Sequence, residues 1–259
     1  MPAKLNHRME ILFGFFGTVI SASCVITAAF LTPGYDPRIH TISSLGYGQA
    51  KSLFSIGLVV GGAMGIPFFI YLERELVNIK ENIRRLATGV SIFTAVCISL
   101  SGIIPDETYH DIFIAFHSFV ASVAFTGSCL YITLYSILMY QGPKSRLYTG
   151  PDFKKKLAYF GLCVNIPLIV FFLTGSALAE WILYFLIVIW ILATIIIVYE
   201  YKFFNIAGVY YKKKRYPDAL RRFKEALAIL TELDLEGHPI AKILRENIDY
   251  LQRKVKDTT

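Results

Sequence analysis

Apolar residues in this chain come in long runs rather than at a helix or strand period. Five runs reach or exceed about 18 residues, the length that reads as a bilayer-spanning helix, and a sixth comes close. They predict six spans, at about 11–31, 53–72, 86–104, 112–140, 157–177 and 181–201. The fold class is therefore all-α: a polytopic membrane protein whose residues 1–201 form a six-helix transmembrane bundle. The first run has no small-residue cleavage site after a short core, so it reads as a retained span. Gly14, Gly17 and Ser21 in the first span allow close helix approach. So does the GxxxG series Gly57, Gly61 and Gly65 in the second, where packing within the bundle is favoured over dimerisation. Pro67 predicts a kink in the second span. The fourth run is long enough to tilt or project past the bilayer. Asn165 and Pro167 fall inside the fifth, and a short turn at Ala179-Glu180 is expected before the sixth.

The polar segments set the topology. Lys and Arg number two at the amino terminus, four in the linker after span two and five in the loop after span four; the loop after span one has Arg38 and Lys51, and those after spans three and five have none. This alternation places both termini in the cytoplasm of a multi-pass cell-membrane protein. The loop with Asp36 and His40, the stretch after span three and Glu180 then share the extracytoplasmic side, with Trp181 as an interfacial anchor. From residue 202 onward the chain is charged and helix-forming, with 13 of the 26 basic residues.

Composition agrees with this picture. The chain is 55% hydrophobic and only 17% charged, where a soluble domain carries about 25% charged residues. The net charge of +7 lies between and after the spans. Topology and attraction to anionic lipid head groups explain runs such as Lys154–Lys156 and Lys212–Arg215, so nucleic acid is not an expected partner. Cys24, Cys97, Cys129 and Cys163 all fall within apolar runs with no CxxC pair, and read as small buried residues.

Candidate chemistry concentrates between spans three and four, where Asp106, His110 and Asp111 precede His117. Thr108 and Asp111 fit a capping spacing before an apolar helix. His110 and His117 are two turns apart, about 10 Å along a helix, too far for one metal ion to bind both. A metal would draw instead on His40, Asp106 and His117, residue types that suit zinc, although no HxxxH or HExxH spacing is present. An ionisable residue inside a span faces the bundle interior and is paired. His117 is thus either a neutral histidine bonded to a neighbouring helix or a group for proton relay, ligand or lipid head-group contact.

Two resemblances extend this reading. Tyr35-Asp36-Pro37, His40 through Gly46 and Leu53-Phe54, followed by Gly102 through Asp106 and then His117 and Phe125, resemble the bacterial and archaeal membrane family called domain of unknown function 998, with a more distant similarity to DRAM/Frag-type membrane proteins. The similarity spans about residues 10–200. It implies a six-helix bundle and a shared outer site of Asp36, His40, Ser43, Pro105, Asp106 and His117, and it supplies no activity. The spacing of Phe203, Ile206, Ala207, Tyr210, Ala219, Phe223 and Ala226 is similar to a tetratricopeptide repeat, with Lys214 and Thr231 departing from the usual glycine and proline. Ile240 to Val255 is similar to the first helix of a second repeat.

The function that follows is a membrane scaffold or sensor. Its outer polar site, including His110, binds a lipid or small ligand. Its tail, residues 203–259, recruits a cytoplasmic protein or self-associates through Tyr210, Phe223, Ile243 and Ile248. The alternatives are a metal-dependent lipid hydrolase or transferase and, less favoured, a transporter. Enzymatic activity and any cofactor are left unassigned.

Overall fold

The computed structural model describes residues 7–104, 111–145, 148, 150–202, 216–232, 237 and 239–256. Among them the regular structure is helical, with no strand, and six helices are long and apolar enough to cross a membrane. Helix α1 is His7–Leu31, followed by a short 3-10 helix, Ile42–Tyr47. Helices α2 (Lys51–Glu75) and α3 (Glu81–Ile103) take up most of the charged linker expected between them; the chain reverses over residues 76–80, where Asn78 adopts φ 70°. Helix α4, Asp111–Gln141, has 31 residues, about 46 Å at 1.5 Å per residue, longer than the roughly 30 Å of a bilayer's hydrocarbon. Pro67 lies within an uninterrupted α2.

The fifth span is not one helix. It divides into α5 (Lys155–Cys163) and α6 (Asn165–Thr174) at Val164. Pro167 has no N–H to give the preceding turn, and the carbonyls at the break are met by side chains. Asn165 Nδ2 donates to Leu162 O and to Thr133 Oγ1 of α4, both at 2.9 Å, and the Cys129 thiol approaches Val164 O at 3.8 Å. Broken helices survive at membrane depth only with such substitutes. Asn165→Leu is expected to cost about 1 kcal/mol, the scale of an interhelical hydrogen bond in a membrane. It would be read as a small drop in thermal stability in detergent.

The start of the sixth span also differs from expectation. Gly175 takes the left-handed conformation, φ 62°, that terminates α6, and α7 begins at Ala177 and runs to Glu200. Glu180 is therefore in the first turn of a helix, not in a connecting turn. Glycine closes a helix in this way without steric cost.

Packing explains what the apolar runs do. Glu10 on α1 pairs with Arg74 of α2. Buried aromatics, among them Trp190, Tyr71, Tyr131, Tyr135 and Phe68, fill the interior. Elsewhere large apolar side chains face outward: Ile166, Ile169, Phe172 and Leu173 of α6 are all more than half exposed. Such a surface is what hydrocarbon covers, and it marks the chain as a multi-pass membrane protein. The four cysteines are free; Cys97 and Cys129 are buried as expected, but Cys163 is exposed on the outer surface.

The chain divides into two compact units, residues 1–195 and 196–259, with the division inside α7. In the second unit α8 (Tyr216–Glu232) packs on α9 (Pro239–Lys256). Their shared core is Ala219, Phe223, Ala226 and Leu230 against Ala241, Leu244, Ile248 and Leu251, a 3-4 spacing that gives each helix one apolar face.

Candidate functional site

The loop after α1 is built from its own residues. Asp36 Oδ1 accepts from Arg38 N (2.9 Å) and Arg38 Nε (3.1 Å), and the Arg38 guanidinium holds its carboxyl below the usual carboxylate range. The stabilisation this gives is present above the ordinary aspartate pKa and is lost as pH falls through the lowered one. His40 Nδ1 accepts from the Asp36 amide at 3.0 Å, and the His40 ring stacks on Tyr35 with centroids 5.3 Å apart. Tyr35 then ties the loop to α7: its hydroxyl donates to Thr41 O at 2.8 Å and accepts from Trp181 Nε1 at 3.0 Å. Burial pushes this phenol up to about 12. The protonated form is thus the one folding favours; its contribution is complete below pH 10 and is lost as pH rises through 12. Tyr35→Phe removes both bonds and is expected to cost about 1–2 kcal/mol, with a change in the emission of Trp181 that Tyr47→Phe does not produce.

The 3-10 helix that follows has no side-chain cap of its own at Thr41. Glu180, only 1% exposed, supplies one from the far end of the chain. Its Oε2 accepts from Ile42 N at 3.2 Å. Around this cap Val25, Ala28, Ile42, Leu45, Phe54 and Trp181 form a single apolar cluster. The loop is thereby docked onto α1, α2 and α7.

Beneath it lies a cavity of about 130 Å³. Its polar lining comes from Thr18, Ser21, Ser43, Ser101, His117, Ser128, Tyr131, Glu180 and Tyr184, and the rest is apolar, including Phe54, Ile98, Ala121 and Phe125. His117 is 3% exposed. Its Nδ1 lies 2.7 Å from Ile104 O, and its Nε2 has no partner among the described residues.

The expected site residues therefore separate. Ser43 and His117 meet at the cavity with Glu180. The Asp36 amide bonds His40 and the Asp36 carboxylate bonds Arg38, and neither Asp36 nor His40 lines the cavity. Pro105, Asp106 and His110 lie outside the described residues. Among the described residues no three His, Cys, Asp or Glu side chains gather where an ion could bind. In the tail, Phe223 and Ile248 are 8% and 7% exposed and hold α8 to α9, while Ile243 is 54% exposed; Tyr210 is outside the described residues. Glu180 is the residue that sequence reasoning passed over. Its signal was available: a carboxylate at the start of an apolar run needs hydrogen-bond donors when buried.

A family model described as a protein of unknown function (DUF998) matches residues 15–197, which take in the loop, the cavity and the whole of the bundle's lining. No curated protein and no solved structure matches the chain.

Proposed function

The chain belongs to the DUF998 family, and from its cavity we propose that it is a membrane scaffold or sensor that binds a lipid or small ligand at an extracytoplasmic site and recruits a protein through its carboxyl-terminal helices. The observation that carries this reading is His117 Nε2, buried and without a partner among the described residues, beside a space lined mostly by apolar groups. A buried imidazole nitrogen left unbonded costs free energy, and an apolar body with one polar contact would satisfy both nitrogen and cavity. The volume matches a benzene-sized cavity, so the space holds a polar group and a few carbons rather than a whole lipid.

Both termini are assigned to the cytoplasm by the distribution of Lys and Arg. The Asp36 loop and the cavity mouth then face outward, and the cell membrane is the proposed location. The tail's tetratricopeptide-like spacing fits the way Ala219 and Ala226 let α8 approach α9 around Phe223; a helix pair of this kind offers an outer face, including Ile243, to a partner or a second copy. The similarity to DRAM/Frag-type proteins rests on the bundle alone and adds no chemistry.

The test is extraction of the full chain into polymer-bounded nanodiscs and mass spectrometry of retained small molecules, for the natural protein and for Ala121→Phe, which fills the cavity. A species retained by the first and lost in the second is expected. Identical profiles would end the ligand reading. Capture of the same protein partner, or of a second copy, by the full chain but not by a chain ending at residue 202 is expected for the recruiting tail.

A further inference from the structure

We infer that the cavity selects a ligand whose polar end is a hydrogen-bond donor, an alcohol or an amine, and disfavours a carboxylate or phosphate. The inference rests on the ligand-binding reading above and adds the head-group class.

The argument is an account of protons. Ile104 O is a carbonyl and can only accept, so His117 Nδ1, 2.7 Å away, carries the hydrogen. In the neutral imidazole Nε2 is then a bare lone pair, and it offers the cavity an acceptor. His40 shows the opposite tautomer, because there a backbone N–H donates to Nδ1. The nearby hydroxyls follow the same pattern as His117. Thr18 Oγ1 donates to Gly14 O at 2.8 Å and Ser101 Oγ to Cys97 O at 2.9 Å. Each hydroxyl proton is spent on its own helix, and the oxygen that remains is an acceptor. The Tyr184 hydroxyl is buried without a partner among the described residues and is the lining's neutral donor. Glu180 adds a carboxylate that already receives the Ile42 amide. Among the described lining residues there is no Lys or Arg. An anionic head group would meet a carboxylate and no cation to neutralise it, with a neutral phenol as its donor, whereas a hydroxyl or amine proton has Nε2 to bond.

The test uses three medium-chain aliphatic probes with the same photoreactive diazirine and different heads: hydroxyl, primary amine and carboxylate. Each is added at equal membrane-partitioned concentration to the full-length protein in nanodiscs, and labelled peptides are mapped. Labelling of residues 42–61 and 117–131 by the alcohol or the amine is expected to exceed that by the carboxylate at least tenfold, and the stronger of the two names the head. Thr18→Val and His117→Phe should each reduce it, and the natural protein's own preference decides if either fails to fold. Carboxylate labelling equal to or above the others would overturn the donor-head inference and leave the ligand reading standing. Cavity peptides unlabelled by all three probes would overturn both.

Discussion

Glu180→Ala is expected to lower the stability of the bundle by about 2 kcal/mol, a fall in apparent melting temperature of roughly 4–8 °C in detergent. The reason is not loss of a charge, since removing a buried charge can be neutral or favourable. It is that the Ile42 amide donates to this carboxylate in a region of buried apolar residues. An orphaned buried N–H costs about 1–3 kcal/mol, and water has no ready route to it. Glu180→Gln keeps a carbonyl acceptor and is expected to retain most of the stability, with a loss of about 1 kcal/mol for the weaker bond. Equal shifts for the two variants would mean the carboxylate does not cap the 3-10 helix. Increased proteolysis between residues 32 and 50 in Glu180→Ala alone would place the damage in the loop.

The six spans were legible because each depends only on local apolar length, a property the sequence states directly. The charge alternation was legible for the same reason. The two helix boundaries that differed depend on single residues whose local effect competes with hydrophobicity. Val164 and Asn165 sit in a run apolar enough to pass for one helix, yet Pro167 withdraws the donor for Cys163 O, and the Asn165 amide bonds the neighbouring Leu162 O. Gly175 ends α6 through a left-handed φ that no hydropathy pattern encodes. The site was legible only in part. His117 and Ser43 were visible as polar groups on the outer side of the bundle, and both line the cavity. Asp36 and His40 looked equivalent to them, because spacing cannot distinguish a side chain that bonds its own loop from one that faces a cavity. Glu180 was missed because its partner is 138 residues away in the chain.

That distance has a consequence for dynamics. The loop over the cavity is held by contacts to the first turn of α7, through Glu180 and Trp181, and by few backbone bonds to the neighbouring helices. Its cost of opening combines these polar contacts with the exposure of Ile42 and Leu45, which are buried against Val25, Ala28, Phe54 and Trp181. Opening the loop would therefore break the Tyr35–Trp181 and Ile42–Glu180 contacts and unbury both apolar side chains.

Gly62→Val is expected to be the most damaging single change within α2, at about 3 kcal/mol or more. Gly65→Ala on the same helix should be neutral or slightly stabilising. The GxxxG series is a guide to the contact with α1: a Cβ at Gly57 would lie 2.6 Å from Cys24 Cβ, and one at Gly61 would lie 2.7 Å from Ser21 Cβ. Gly65, the third member, has only the Phe69 ring at 3.5 Å, an ordinary contact. The tighter approach is at Gly62, one residue off the series, where a Cβ would overlap Ser99 Oγ and the backbone carbonyl of Ala95 on α3. A serine side chain can rotate away, but a helical carbonyl cannot. Alanine in a helix interior gains about 1 kcal/mol over glycine, which offsets part of the 1–3 kcal/mol that overpacking costs. Gly62→Ala is therefore expected to lose about 1 kcal/mol, and valine, with two more carbons and a poorer helix propensity, loses the remainder. Thermal unfolding of Gly62→Val, Gly62→Ala and Gly65→Ala, measured together in one detergent, tests the order. Gly65→Ala as damaging as Gly62→Val would return the close contact to the GxxxG face and remove Gly62 from the α2–α3 interface.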